Sequence, residues 1–377
     1  MTISRFSFPT DIQFGPGASR LVGSHLRARG FARPLIVTDK GLAALPVLKN
    51  FVANVGAELN VSLFAGVHGN PTGSQAMRGR DAFRAHQADS VIGIGGGAAL
   101  DIAKVVALMA THEGDVIDYA WDHPKVRPIT ADLPYVVAVP TTSGTGSEVG
   151  RSSVVSDDTT HVKQVIFSPK LLAKAVFADP ELTLDLPPAV TAATGMDALT
   201  HNIESYLSPA FHPLCDGIAL EGVRIAARAL RTAVKDGHNL QARADMMMAS
   251  MMGAIAFQKD LGAVHSCAHA LGAICDLHHG LANALMLEPV LRFNLETARA
   301  KFAELAHVVG ATHAEDFVPW LMRLKHEIGI APSLSAVGVK LAQISALVDI
   351  AEKDICHQTN PRPCTRADFT RFFEQAM

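Results

Sequence analysis

The feature that most constrains this chain is a change of pattern near its middle. In the first half, short apolar runs alternate with stretches of helical spacing. Residues 34–38 (Pro-Leu-Ile-Val-Thr), 61–64, 90–94 and 135–139 read as buried strands, and 73–86 and 100–110 as helices. Strands alternating with helices predict a parallel α/β sheet. From about residue 188 the chain turns rich in alanine, leucine and methionine, and strand signals fade. Helical patterns run through 191–207, 213–234, 242–258 and 262–275. The expected organisation is an α/β domain over 1–184 followed by an all-helical domain over 185–377. The join lies near 182–188, where Asp179-Pro180 and Pro187-Pro188 punctuate the sequence. A length of 377 residues suits two cores better than one, and a cleft between two such domains is a natural ligand site.

Composition removes several function classes. With 49% hydrophobic and 18% charged residues the chain is globular. A net charge of −3 leaves no basic excess for a nucleic-acid backbone. No run of about 18 apolar residues marks a membrane span, and the first residues lack a signal-peptide core. Five scattered cysteines without a CxxC pair fit reduced thiols in a cytoplasmic protein.

Two constellations carry chemistry. In Gly195-Met-Asp-Ala-Leu-Thr-His201, Asp197 and His201 stand four apart and share a helix face. His265 and His269 repeat that spacing, and His278-His279 follows. Imidazoles with one carboxylate and no thiolate suit a divalent transition metal such as iron(II) or zinc. Each pair alone is more often a helix-surface hydrogen bond, and 17 histidines make some clustering ordinary.

The second constellation is Ser90-Val-Ile-Gly-Ile-Gly-Gly-Gly97, a strand entering a glycine turn, with a helix from Ala98 onward. Such a turn lets a pyrophosphate approach the backbone and a helix N-terminus. A tight turn without ligand reads the same way. Asp39, at the end of the earlier strand, either accepts the hydroxyls of an adenosine ribose and repels a 2′-phosphate, favouring NAD, or caps a helix. Pro140-Thr-Thr-Ser-Gly-Thr-Gly-Ser-Glu148 is rich in hydroxyls but lacks the Gly-Lys ending of a P-loop, which disfavours a nucleoside triphosphatase.

Taken together, Gly95-Gly96-Gly97…Asp101…Lys104, the 140–148 loop, Gly195–His201 and His265…His269…His279-Gly280 resemble the iron-containing (group III) alcohol dehydrogenases over nearly the whole chain. The resemblance implies a dehydroquinate synthase-like arrangement: an N-terminal dinucleotide-binding domain and a C-terminal helical domain, with one metal and the nicotinamide in a shared cleft. It implies Asp197, His201, His265 and His279 as metal ligands, iron(II) before zinc, with His269 as a nearby non-ligand; because imidazole titrates near neutral pH, His269 is the candidate for relaying a proton. It implies Gly95, Gly96, Gly97 and Asp101 at the pyrophosphate, and Thr141, Thr142, Ser147 and Lys163 toward ribose and nicotinamide. Asp39 falls where NAD-preferring members select their cofactor. Ala98 departs from the family, which usually has serine there, and weaker cofactor binding is expected. The resemblance further implies a homodimer or larger homo-oligomer.

The implied reaction is hydride transfer between NAD(H) and a small alcohol or aldehyde. Arg151 and Lys259 are candidate cations for an anionic tail, with surface or paired charges as the alternative. The stretches 141–151, 256–262 and Cys356-His357-Gln-Thr-Asn-Pro361 look most like 4-hydroxybutyrate dehydrogenases, which adds His357 to the substrate candidates. A neutral short alcohol and a phosphono- or sulfo-aldehyde are the other options. Maleylacetate reductase and dehydroquinate synthase are neighbours disfavoured by the intact ligand set. A non-catalytic nucleotide- or metal-binding protein is the reading from another class.

Overall fold

The computed structural model describes residues 8, 10–159 and 162–377. They divide into two compact units: 8–142 with 147–183, and 143–146 with 184–377. No helix among the described residues is long and apolar enough to cross a membrane.

The first unit is built on a six-stranded parallel sheet. Its strands are β1 (Asp11–Phe14), β2 (Pro34–Asp39), β3 (Ser62–Val67), β4 (Ser90–Gly95), β5 (Tyr135–Pro140) and β8 (Ala175–Ala178), in the order β1-β8-β5-β4-β2-β3. Strands covered on both faces read as continuous apolar runs, and Leu35, Ile36, Val37, Val91, Ile92, Val137 and Val139 are fully buried. The helices of this unit are α1 (Val22–Ala28), α2 (Lys40–Ala43), α3 (Pro46–Gly56), α4 (Gly73–Ala85) and α5 (Gly97–Thr111). Proline at the first position starts α3, and the Thr72 hydroxyl caps α4 by accepting from Gln75 N. A separate antiparallel pair, β6 (Ser152–Ser156) and β7 (Lys163–Phe167), runs from Ser152↔Phe167 to Ser156↔Lys163. This pair, β1 and β8 carried no strand signal strong enough to be expected.

Sheet order positions the first candidate site. From β2 the chain proceeds to β3 on one side, and from β4 to β5 on the other, although β2 and β4 are neighbours. Ligands of open parallel sheets bind at such a reversal, beyond the carboxyl ends of the strands. Asp39 ends β2 there and Gly95 ends β4.

The second unit is helical. Its elements are α6 (Pro188–Leu207), α7 (Pro213–Lys235), α8 (Leu240–Ala256), α9 (Ala263–Cys275), α10 (His279–Leu295), α11 (Arg299–Val308), α12 (Phe317–Glu327), α13 (Ile344–Ala351) and α14 (Arg366–Ala376). α6 is buried from Thr191 to Leu207 except at Thr194, so even its polar side chains sit inside. It packs against α7, α8 and α10. A helix buried all round must satisfy its polar groups internally, and the Asn202 NH2 does so by donating to Ala198 O and Ala249 O.

Candidate functional site

In the helical unit, Asp197 and His201 project from one face of α6, His265 from the first turn of α9, and His279 from the first residue of α10. One ligand atom from each lies within 4.8 Å of every other. A tetrahedral ion with bonds of about 2.1 Å needs its ligands about 3.4 Å apart, so the donors are already gathered to the right scale. Gly280 permits the approach of α10: a Cβ there would stand 2.1 Å from Ala193 O on α6.

The donor set fits a divalent metal. Asp197 and His265 are buried, and the His201 ring stacks on His265 at 4.7 Å and 20°. Burial pushes the His201 imidazole down to about 4, against the Asp197 carboxylate, so it is neutral and able to ligate at physiological pH. Asn283, one turn along α10 from His279, donates through Nδ2 to Asp197 Oδ1 at 2.7 Å. The same amide lies 3.3 Å from His265 Nε2 and from His279 Nε2. One small donor thus faces three of the gathered ligand atoms, as a cation would.

His269 stands one turn beyond His265. It is not among the four gathered donors, although its ring stacks on His279 at 5.4 Å. Its Nδ1 donates to Asp354 Oδ2 at 2.7 Å. Asp354 also accepts from Ser266 Oγ and from Cys356 N, each at 2.8 Å. Burial pushes this carboxyl up, but the His269 charge and these hydrogen bonds prevail and hold it well below the usual range. His278 is exposed just before α10, outside the donor group.

In the α/β unit, Gly95 has φ +146°, a conformation L side chains rarely adopt, and a Cβ there would stand 2.7 Å from Ala99 Cβ. Gly96 is the N-cap of α5 and Gly97 its first residue. Asp39, Gly41, His68, Gly96 and Ala98 line a pocket at this turn. Asp39 caps α2 through Oδ1, accepting from Leu42 N at 2.8 Å; Oδ2 lies 3.1 Å from where a Gly95 Cβ would be. Thr141 N donates to Gly95 O, and Thr142 packs beside Gly96. Lys163 is half-buried at the start of β7.

Some expected side chains are engaged elsewhere. The Asp101 carboxylate accepts from Ser147 Oγ at 2.6 Å and from Val154 N at 3.1 Å, and pairs with buried Lys104 at 3.3 Å. Asp101 and Ser147 therefore tie α5 to the following segments, and what they offer a ligand is a positioned backbone. Beside them, burial pushes the Glu148 carboxyl up to about 7, with Lys104 opposing.

The three substrate candidates lie in different surroundings. The Lys259 ammonium is wholly buried and bound to Asp216 and Tyr206 O, because the segment after α8 turns it toward the start of α7. His357 turns its ring onto buried Phe369 and its Nε2 to Glu352 O. Arg151 lies over the Phe167 ring and pairs with no carboxylate among the described residues.

Three residues at the site were missed. Glu204 accepts from His265 Nδ1; it lies seven residues after Asp197 and three after His201, a face signal that was legible. Asn283 is four residues after His279, a similar signal. Asp354 reaches His269 across 85 residues, with no local pattern to reveal it.

Comparison with known proteins gives a consistent result. The family profile described as "Iron-containing alcohol dehydrogenase" matches residues 9–180, and "Fe-containing alcohol dehydrogenase family, C-terminal" matches 191–377. A 4-hydroxybutyrate dehydrogenase of Cupriavidus necator is 38% identical over 98% of both chains. A 1,3-propanediol dehydrogenase of Klebsiella pneumoniae is 40% identical over 96% of both. A crystal structure of a 1,3-propanediol oxidoreductase has a TM-score of 0.95 at 38% identity and covers 100% of both chains.

Proposed function

The chain belongs to the iron-containing alcohol dehydrogenase family, and we propose that Asp197, His201, His265 and His279 hold its divalent metal, with NAD(H) at the glycine turn after β4. Its reaction is alcohol–aldehyde interconversion with NAD(H). The observation that carries the site assignment is the convergence of the four donors.

A divalent metal held by Asp197, His201, His265 and His279, iron(II) by family, would supply a Lewis acid for the carbonyl and the developing alkoxide. A nicotinamide cofactor bound at the glycine turn would supply or accept the hydride. The protein's own groups do the rest. Burial keeps His201 neutral, and Asp197 brings negative charge. His269 holds a proton on Nδ1 against Asp354, so its Nε2 is the atom that exchanges a proton with the substrate oxygen, and its partial exposure gives access to solvent. The amides of Gly95–Gly97 and the start of α5 hold the pyrophosphate. Asp39 Oδ2 accepts from the ribose and repels a 2′-phosphate.

For the substrate we propose a short primary alcohol with an uncharged far end, such as a diol or its hydroxyaldehyde. The support is Lys259, whose charge is spent on Asp216. An anionic ω-hydroxy acid is the second reading, favoured by Arg151 and by the Cupriavidus relative. Metal-stripped protein reloaded anaerobically with iron(II) should oxidise NADH with 3-hydroxypropanal at higher kcat/KM than with succinic semialdehyde. A preference for the semialdehyde that Arg151→Ala abolishes would establish the second reading instead. Chelated protein that keeps full activity would sink the metal assignment.

The same reading includes a cytoplasmic setting, supported by five cysteines of which none is in a disulfide. It also includes a homodimer or larger assembly, supported by β1 lying at the sheet edge with Phe14 exposed. Sedimentation of a monomer at micromolar concentration would contradict the assembly.

A further inference from the structure

We infer that Glu204 makes His265 a metal ligand, by fixing the imidazole proton on Nδ1 and leaving Nε2 bare toward the donor cluster. This rests on the metal assignment above and adds a positioning residue to it.

Glu204 follows Asp197 and His201 on the same face of α6, and its side chain is only 3% exposed. Its Oε2 accepts from His265 Nδ1 at 2.6 Å and from His265 N at 3.3 Å. Its Oε1 accepts from Val264 N at 2.8 Å. The first turn of α9 therefore ends on this carboxylate, where an anion is favoured by the helix dipole. Gly262 leaves the approach open: a Cβ there would stand 2.6 Å from Oε1.

An ionised carboxylate only accepts. Every group aimed at Glu204 must therefore donate, including His265 Nδ1. A neutral imidazole has one proton, so its remaining nitrogen carries the lone pair. That nitrogen is Nε2, the atom 3.3 Å from the Asn283 amide that also meets Asp197 Oδ1 and His279 Nε2. The alternative tautomer would place a lone pair against the carboxylate and a hydrogen where the cation belongs. Carboxylates behind metal-bound histidines fix ring orientation and raise ligand basicity in this way.

Glu204 also changes the charge of the centre. A divalent ion with Asp197 alone would carry +1; with Glu204 in contact with a ligand ring, the sum is zero. Retention of the metal is favoured and its electrophilicity tempered.

Glu204→Gln separates this role from simple capping. Glutamine matches the volume and can keep its carbonyl on Val264 N, but then its NH2 faces His265 Nδ1 and demands the wrong tautomer. The expected result is folded protein of near-wild-type Tm whose cobalt(II) or zinc Kd, by chelator competition, is weakened about 10- to 100-fold. A folded variant with Kd within twofold of wild type would overturn the inference. If the variant does not fold, 15N spectra of histidine-labelled, metal-free wild type decide: a proton on His265 Nδ1 supports it and one on Nε2 refutes it. Wild type that binds no metal would instead be a failure of the metal assignment.

Discussion

Two histidines one turn apart on α9 end on a carboxylate through the same nitrogen, yet their surroundings differ. His265 meets Glu204 at 2.6 Å and has a side chain 1% exposed; His269 meets Asp354 at 2.7 Å and is 23% exposed. In both, the carboxylate decides which ring nitrogen holds the proton. Burial decides what the other nitrogen can do. A ring sealed among other ligands presents a lone pair and keeps it. A ring with access to solvent can take up a proton and release it. On the proposed reading, the same hydrogen bond serves ligation in one place and proton exchange in the other.

The sharpest way to break this comparison is to remove each ring in turn. His265→Ala should lose metal, and with it several kcal/mol of transition-state stabilisation, on the order of 10^3-fold or more in kcat/KM. His269→Ala should retain metal, by direct metal analysis, and lose about 10^2-fold in kcat. Equal metal loss in both variants would mean the two rings are not divided as argued.

Asp354→Asn tests the second carboxylate alone. Metal content should stay at the wild-type level while kcat falls about tenfold, because the amide no longer stabilises a charged His269 ring. Stability should fall at neutral pH by about 1.5–3 kcal/mol, the range for hydrogen bonds to a charged group. The pH dependence follows from the depressed carboxyl of Asp354. A carboxyl held low in the fold binds fewer protons there than in the unfolded chain. Its contribution is full above the unfolded value of about 3.9 and is lost as pH falls through the lower folded value. Urea unfolding should therefore separate wild type from variant at pH 7, with the gap narrowing as pH falls below about 3.9 and closing only below the lower folded value. A gap that stays constant with pH would show that Asp354 stabilises by packing and not by charge.

The two dyads also mark how far the sequence could be read. Asp197 and His201 on one helix, and His265 on another, were legible because helical spacing carries over rigidly into space. The glycine turn was legible because φ at Gly95 is a local property. The strands at 34–39, 90–95 and 135–140 stood out as apolar runs, whereas β8 is four residues long and β6 and β7 are half-polar. Side-chain roles that depend on distant partners could not be read. Asp101 was expected near the pyrophosphate, and no local pattern reveals that its carboxylate accepts from Ser147 Oγ and Val154 N. Lys259 looked available until α7 supplied Asp216. Asp354 had no spacing relation to His269 at all.

The α/β unit offers the weakest and most specific test of the contrast. Where the helical unit uses clamped side chains, the turn after β4 presents mainly backbone, and Ala98 adds a methyl group where a hydroxyl would fit. Ala98 is half-buried in the second position of α5, on the wall of the pocket that includes Asp39 and Gly96. The helix N-terminus already supplies N–H donors to a phosphate, so one added hydroxyl contributes a single further hydrogen bond, roughly 0.5–1.5 kcal/mol. Ala98→Ser should then tighten NADH binding about two- to tenfold, read by fluorescence titration, with kcat unchanged. Serine also competes for backbone hydrogen bonds at a helix start, which is favourable in the first turn and gives no reason for a loss of stability. Affinity that is unchanged or weaker would mean that the pyrophosphate does not sit against this position, and that the turn is read through Gly96 and Gly97 alone.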